Sequence, residues 1–232
     1  MKIFYGLLVI LALVENAMAE DSVQLAISPM VSKDNLMGNY LDYRIDIHTG
    51  ERSDPKELVL RRKHDLIAYE RSEISDVWER NSVGTVSYLQ VYHDFKAYIE
   101  YLPADFNVLE QAEPEWEQIG ALFDLKALES LEVTGHYVMS EQDVTVYEGE
   151  LEGLSVTVHW IMSLNLPVRL EYRSEDIVQV MVLQSLFGNE DAPWPQWDST
   201  KYFGIDFVDM GDNESHPLIQ ALNAGQAGGH QH

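Results

Sequence analysis

Apolar and polar residues alternate with period two along several stretches of the chain. Leu154, Val156, Val158 and Trp160 alternate with Ser155, Thr157 and His159, and Val168, Leu170 and Tyr172 alternate with Arg169, Glu171 and Arg173. On a pleated strand this puts each set on one side, giving one oily and one wet face. Residues 144–151 and 154–162 are predicted strands around the tight pair Glu152-Gly153. Strands at 168–173 and Ile177–Phe187 follow, set off by Asn165-Leu166-Pro167 and Ser174-Glu175-Asp176. Short β-rich runs punctuated by turn residues predict an antiparallel meander. Ile177–Phe187 is apolar on both faces for most of its length, the pattern of a strand covered on both sides.

A second meander precedes the first in the chain. Leu41, Tyr43, Ile45 and Ile47 alternate with Asp42, Arg44, Asp46 and His48, ending at Thr49-Gly50. Strands at 57–62 and 65–71 flank Lys63-His64. A strand at 76–80, centred on Trp78, leads through Asn81-Ser82-Val83-Gly84 into 85–92. After His93-Asp94, residues 95–101 place Phe95, Ala97, Ile99 and Tyr101 on one face. Between the meanders, Trp116, Ile119, Leu122, Phe123, Leu128 and Leu131 recur at helical spacing. Pro114 stands at the helix start, and Gly120 and the Phe123-Asp124-Leu125 region allow two short helices. Beyond residue 188, a Trp194- and Trp197-bearing loop, a last strand at 203–210 and a helix at 212–222 capped by Asp212 or Asn213 are expected.

Residues 1–19 carry Lys2, an apolar run and Ala17-Met18-Ala19, the layout of a secretory signal peptide cleaved after Ala19. The apolar run is short for a membrane span. The expectation is an exported, periplasmic protein with a single domain over 20–223, an extension from about 188, and a flexible Gly/His tail over 224–232. With 15 Lys+Arg against 39 Asp+Glu, the formal net charge is −24. That balance argues against a nucleic-acid partner, which needs clustered cations, and leaves a basic protein partner as the one charge would steer. The chain has no Cys, which excludes disulfides and thiol-based sites.

An exported domain built as strands, a helical segment, strands and a C-terminal helix resembles the lipoprotein-carrier group typified by LolA and LolB. The residues carrying the resemblance are Trp78-Glu79-Arg80 before a hairpin, Tyr147-Glu148-Gly149-Glu150-Leu151-Glu152-Gly153, and Trp160 followed by Leu164-Asn165-Leu166-Pro167-Val168-Arg169-Leu170-Glu171. It covers roughly residues 40–187. The chain lacks an early Arg-Pro pair, a Tyr-Asp-Pro turn and the lipidated Cys of the receptor member, so it looks closer to a soluble carrier. The resemblance implies an α+β fold: a strongly curved, half-open antiparallel β-barrel of two meanders, with helices covering the concave apolar face. It also implies a cavity for a lipid or another hydrophobic ligand. The expected lining is Trp78, Tyr88, Ile99, Val156, Val158, Trp160, Leu170 and Tyr172, with Trp116, Ile119 and Phe123 as a lid. The bland alternative is that these residues simply pack as a filled core.

Other chemistry is weaker. His136-x-x-Met139 and His159-x-x-Met162 carry ligand types suited to Cu(I), but residues three apart on a strand face opposite ways. His230-Gln231-His232 is a tail. His93-Asp94 and Asp65 have neither a Gly-x-Ser-x-Gly elbow nor a His-Glu-x-x-His helix beside them. The expectation is therefore no enzyme, no cofactor and no metal site: a carrier or binding protein. A regulatory or scaffold protein on the same fold, and a copper-binding protein, stand as the alternatives. A possible membrane-protein partner would receive the ligand.

Overall fold

The computed structural model describes residues 26–28, 31–109, 115–188 and 198–228. The expected leader, the Trp194/Trp197 loop and the His230–His232 tail lie outside the described residues. Six strands form the first meander: β2 (Asn35–Asp46), β3 (Lys56–Lys63), β4 (Leu66–Glu70), β5 (Ile74–Arg80), β6 (Val86–Tyr92) and β7 (Ala97–Tyr101). Three short helices follow: α1 (Pro103–Val108), α2 (Trp116–Gly120) and α3 (Leu125–Ser130). The second meander is β8 (Glu132–Met139), β9 (Gln142–Leu151), β10 (Leu154–Ile161), β11 (Leu166–Arg173) and β12 (Ile177–Phe187). The two-residue β1 (Ala26–Ile27), the late β13 (Phe203–Asp206), a 3-10 turn at Phe207–Asn213 and α4 (Pro217–Gly228) complete the described chain.

The two meanders are one sheet. β2 pairs antiparallel with β12, from Ile177↔Asp46 to Phe187↔Met37, and the order runs β13-β7-β6-β5-β4-β3-β2-β12-β11-β10-β9-β8. The sheet is mixed, because β13 adds parallel to β7 and β1 parallel to β12. It is open, with β13 and β8 at its edges.

The β10–β11 hairpin leaves this plane. β11 follows β12 only from Arg173↔Val178 to Arg169↔Val182. Beyond that point β1 takes its place beside Ser185 and Leu186. The freed tip turns over the sheet, where Tyr40 on β2 donates to the Pro167 carbonyl at 2.9 Å. Arg62 on β3 donates to the carbonyls of Leu164 at 2.6 Å and Asn165 at 2.7 Å. The face that meets this tip is called the inner face below.

Three packed regions share that face. Leu36, Tyr40, Leu58, Leu60, Ile67 and Val86 of the first meander pack with Ile161, Leu164 and Leu166 of the hairpin tip and with Ile119 of α2. Val156, Val158, Trp160 and Leu170 pack beneath Ala121, Phe123, Leu128 and Leu131. Ile99, Ala97 and Tyr92 pack beneath Ile205, Leu218 and Ile219 of the C-terminal extension. β12 is covered on both sides: Val178 and Val180 pack with Tyr43, while Leu183 and Leu186 join the first inner cluster.

The structure departs from the sequence pattern at several places. Phe95 is not on β7 but in the preceding turn, where Lys96 takes φ 46°, and it is 39% exposed. The strand expected over 203–210 stops at Asp206 and continues as 3-10 turns. The last helix starts at Pro217, with His216 Nδ1 accepting from the Leu218 amide at 3.2 Å in place of an Asp212 or Asn213 cap. Pro at the first helical position has no N–H to waste. That helix continues to Gly228, into the stretch expected to be a flexible tail.

Candidate functional site

A cleft of about 460 Å³ opens where the β2–β12 seam joins the two meanders. Its apolar lining is Leu58, Tyr69, Tyr172 and Met181 from the sheet, with Leu122 and Phe123 from the connector between α2 and α3. Its polar lining is Asp42, Lys56, Glu57, Arg71, Gln118 and Asp124. Strand register explains the grouping. Asp42 sits opposite Met181 on one side and Lys56 on the other, and Tyr172 is opposite Gln179 one strand further along. The Gln179 amide donates to the Asp42 carboxylate at 3.3 Å.

The roof of the cleft is a short connector hung from side chains. Gln118 brackets it, donating to the Phe123 carbonyl at 3.0 Å and accepting from the Leu125 amide at 2.9 Å. Asp124 caps α3, accepting from the amides of Lys126 at 2.7 Å and Ala127 at 3.2 Å. Arg62 Nε donates to the Gly120 carbonyl at 3.1 Å, and the Tyr69 hydroxyl donates to the Ile119 carbonyl. A Cβ at Gly120 would lie 2.9 Å from Arg62 Nε, so glycine permits this approach. Burial lowers the Arg62 pKa and pushes Tyr69 up to about 12. Leu122 holds φ 60°, a left-handed conformation rare for a branched apolar residue. The roof is thus a strained loop between two helical turns, not a rigid helix.

A second feature crosses the first meander. Rings of Tyr69, Trp78, Tyr88, Tyr101 and Phe207 follow one another with centroids 5.0 to 5.1 Å apart, from β4 through β7 to the C-terminal turn. These rings are half-buried. Polar groups sit among them: the Tyr88 hydroxyl donates to Asp76 at 2.6 Å, and Asp76 also accepts from Arg71 at 3.1 Å. Burial, foremost, and the Asp76 charge raise the Tyr88 pKa.

The residues expected to line one cavity are distributed over three places. Val156, Val158, Trp160 and Leu170 are at most 3% exposed within a closed core, and Phe123 packs on them. Ile99, 1% exposed, lies under the C-terminal helix. Trp78 and Tyr88 stand in the aromatic row. Tyr172 alone of the eight lines the seam cleft, its ring 6.4 Å from that of Phe123. Of the expected lid, Phe123 roofs the cleft while Ile119 and Trp116 pack against the first inner cluster. The cleft residues Leu58, Tyr69, Leu122 and Met181 are not among those the sequence pattern assigns to a cavity, although Leu122 recurs there at helical spacing. Period-two alternation puts Tyr69 and Met181 on faces, but only the β2–β12 pairing brings those faces together.

The histidines are dispersed. His136 pairs with Thr145 and His159 with Val146, adjacent residues of β9 that face opposite ways. His159 Nδ1 is 2.9 Å from the Tyr137 hydroxyl. Among the described residues there is no group of three or more His, Cys, Asp or Glu side chains placed to hold a metal ion. His93 lies between Ser75 Oγ at 2.8 Å and the Tyr202 hydroxyl at 3.0 Å, but Ser75 is 1% exposed and out of a substrate's reach. Asp65 pairs instead with Arg80 at 2.9 Å. No helix among the described residues is long and apolar enough to cross a membrane.

No protein-family model matches the chain, and no curated protein matches it. Among solved structures it is similar to one of MucB in complex with MucA(peri), at 13% identity, covering 73% of this chain and 55% of that one, with a TM-score of 0.36. It is similar to PNGF-II at 9% identity over 77% of this chain and 33% of that one, TM-score 0.38. It is also similar to a LolA superfamily protein from Nitrosomonas europaea, at 11% identity over 77% of this chain and 94% of that one, TM-score 0.23. The chain spans only about half of the MucB chain and a third of PNGF-II. Identities and scores this low carry no activity, ligand or partner across.

Proposed function

We propose that the chain is a non-enzymatic periplasmic binding protein that shelters an apolar chain, from a lipid or an acylated molecule, in the seam cleft and passes it to a partner. The observation that carries this reading is the cleft itself: six apolar residues from the sheet and the connector line it beside six polar ones, and part of its roof is a strained loop. Its volume of about 460 Å³ lies within the usual range for small-molecule sites. The polar half of the lining mixes Lys56 and Arg71 with Asp42, Glu57 and Asp124, which suits the polar head of an amphiphile whose tail packs on the apolar half. The signal-peptide pattern of residues 1–19 supports the periplasmic placement. The half-buried roof residue Leu122, held in a conformation that costs roughly 1–3 kcal/mol, suits a segment that opens.

The test is native mass spectrometry of gently purified protein, followed by titration with fatty acids of increasing length. Each added methylene buried is worth about 0.8 kcal/mol, so affinity should rise about fourfold per carbon until the cleft is full. Leu122→Asn keeps a residue that tolerates the left-handed conformation while placing an amide in the roof. It should remove the length dependence without unfolding the protein. A bare mass with no uptake, or a length series that is flat in the parent chain, sinks the proposal.

A further inference from the structure

From Ala127 through Val168 the sequence contains no lysine or arginine, yet it carries Glu129, Glu132, Glu141, Asp143, Glu148, Glu150 and Glu152. All seven carboxylates are exposed. This stretch forms the end of the sheet, with β8 as its last strand: among the described residues no strand lies beyond it. What sets this stretch apart is that its negative charge has no lysine or arginine within it to offset it, and it lies beside a strand paired on one side only among the described residues.

The free edge of β8 can be specified. Ser140 and Glu141, with φ 47° and 66°, form the two-residue connection between Met139 and Gln142. Two positive φ values define the mirror-image turn that closes a hairpin on a hydrogen-bonded pair. Counting back, Tyr137↔Val144 is also hydrogen-bonded, whereas Val138↔Asp143 and His136↔Thr145 are not. The backbone N–H and C=O groups of Val138 and His136 therefore point away from β9. Natural edges are commonly blunted with lysine, proline or a bulge. β8 has a bulge near Thr134, but from Gly135 to Met139 it has neither proline nor lysine. Val138 and Tyr137, 68% and 38% exposed, offer apolar contacts there.

We infer that β8 is a strand-addition site for an extended, lysine- or arginine-bearing segment of a partner protein. Backbone pairing along Gly135–Met139 supplies the register, and Glu132 at the far end of β8, Asp143, Glu148 and Glu150 on β9, and Glu141 and Glu152 in the turns flanking β9 select for positive charge. A second copy of this chain is disfavoured as occupant, because it would bring an equally acidic edge. The inference is independent of the seam cleft, at the junction of the meanders.

The test uses the full chain and three short peptides: one alternating lysine with valine, the same peptide N-methylated at alternate residues, and one alternating glutamate with valine. The lysine peptide should bind and slow hydrogen exchange at the Val138 and His136 amides. N-methylation, which removes strand donors but keeps charge, should weaken binding at least about tenfold, equivalent to about 1.4 kcal/mol; glutamate for lysine should do at least as much. In the protein, Val138→Pro removes an outward N–H at an edge position where proline is tolerated, and should lose the peptide. Unchanged tryptophan fluorescence would show it folded, and the methylated peptide serves the same purpose without any variant. Equal binding of the methylated peptide would reduce the effect to charge attraction and overturn strand addition. No binding of the lysine peptide, or a self-associated parent chain whose dimer dissociates on Val138→Pro, would overturn it as well.

Discussion

On β10 and β11 the inner face is dry. Val156, Val158, Trp160 and Leu170 are at most 3% exposed, and α3 with its flanking residues closes over them. On β4 to β7 the same face carries a row of half-buried rings with Asp76, Arg71 and Gln90 among them. One half of the sheet thus uses its apolar side chains on itself, while the other keeps aromatic surface partly wet. Between them lies the seam cleft. A curved sheet with helices on its face is no cavity in itself. Where the covering segment is tight the face is a core, and where it is a strained loop the face remains available.

The largest effect that bears on this contrast compares two tryptophans. Trp160→Ala removes a side chain that is 1% exposed, and should cost roughly 3–5 kcal/mol through lost burial and a cavity. Trp78→Ala removes a half-buried ring stacked on Tyr88, and should cost about 2 kcal/mol through partial burial and lost ring contacts. Urea unfolding of both variants decides it. Equal costs would mean that the aromatic row is as closed as the core of the second meander.

The next effect concerns the tie between the halves. Arg62, 5% exposed, joins β3 to the roof at Gly120 and to the hairpin tip at Leu164 and Asn165. Arg62→Met keeps most of the volume but leaves buried carbonyls without this donor, a loss of roughly 1–3 kcal/mol. Limited proteolysis should then cut first between Gly120 and Asp124. Cleavage appearing first in the second meander would show that Arg62 does not hold the roof.

The contrast also explains which parts were legible in sequence. Ile177–Phe187 was delimited as observed because a long strand, apolar on both faces, has a pattern only that environment produces. The hairpin at Glu152-Gly153 announces itself by its turn residues, while the one expected at Lys63-His64 closes one residue later, on His64-Asp65, with Lys63 still paired to Leu66. β8 was missed because both of its faces are exposed, so no alternation marks it. Its turn, Ser140-Glu141, also lacks the Gly or Asn that usually signals positive φ. The β2–β12 pairing, which creates the cleft, is set by side chains more than a hundred residues apart and leaves no local trace. Whether Trp160 lines a cavity or fills a core is likewise decided by Leu128 and Leu131 above it, not by the alternation of its own strand.

The smallest effect is a pH dependence, and it too separates the halves. Burial, then the nearby Arg169 charge, lowers the His159 pKa, while Glu171 opposes them. A histidine with a depressed folded pKa binds fewer protons folded than unfolded, so stability is full above the ordinary value of 6.5 and declines as pH falls below it. His93 in the first meander, with its pKa lowered by burial, acts in the same direction. His48, raised by its bond to Asp176, acts in the opposite direction: its contribution is present at low pH and lost as pH rises through its folded value. It is fully exposed and screened. His159→Gln preserves a partner for the Tyr137 hydroxyl while removing the titration. Denaturant midpoints measured from pH 7 down to about 5, the range in which a depressed histidine titrates, should fall less steeply in the variant than in the parent chain. An unchanged slope would move the pH sensitivity to His93, and so to the half of the sheet that the C-terminal extension covers.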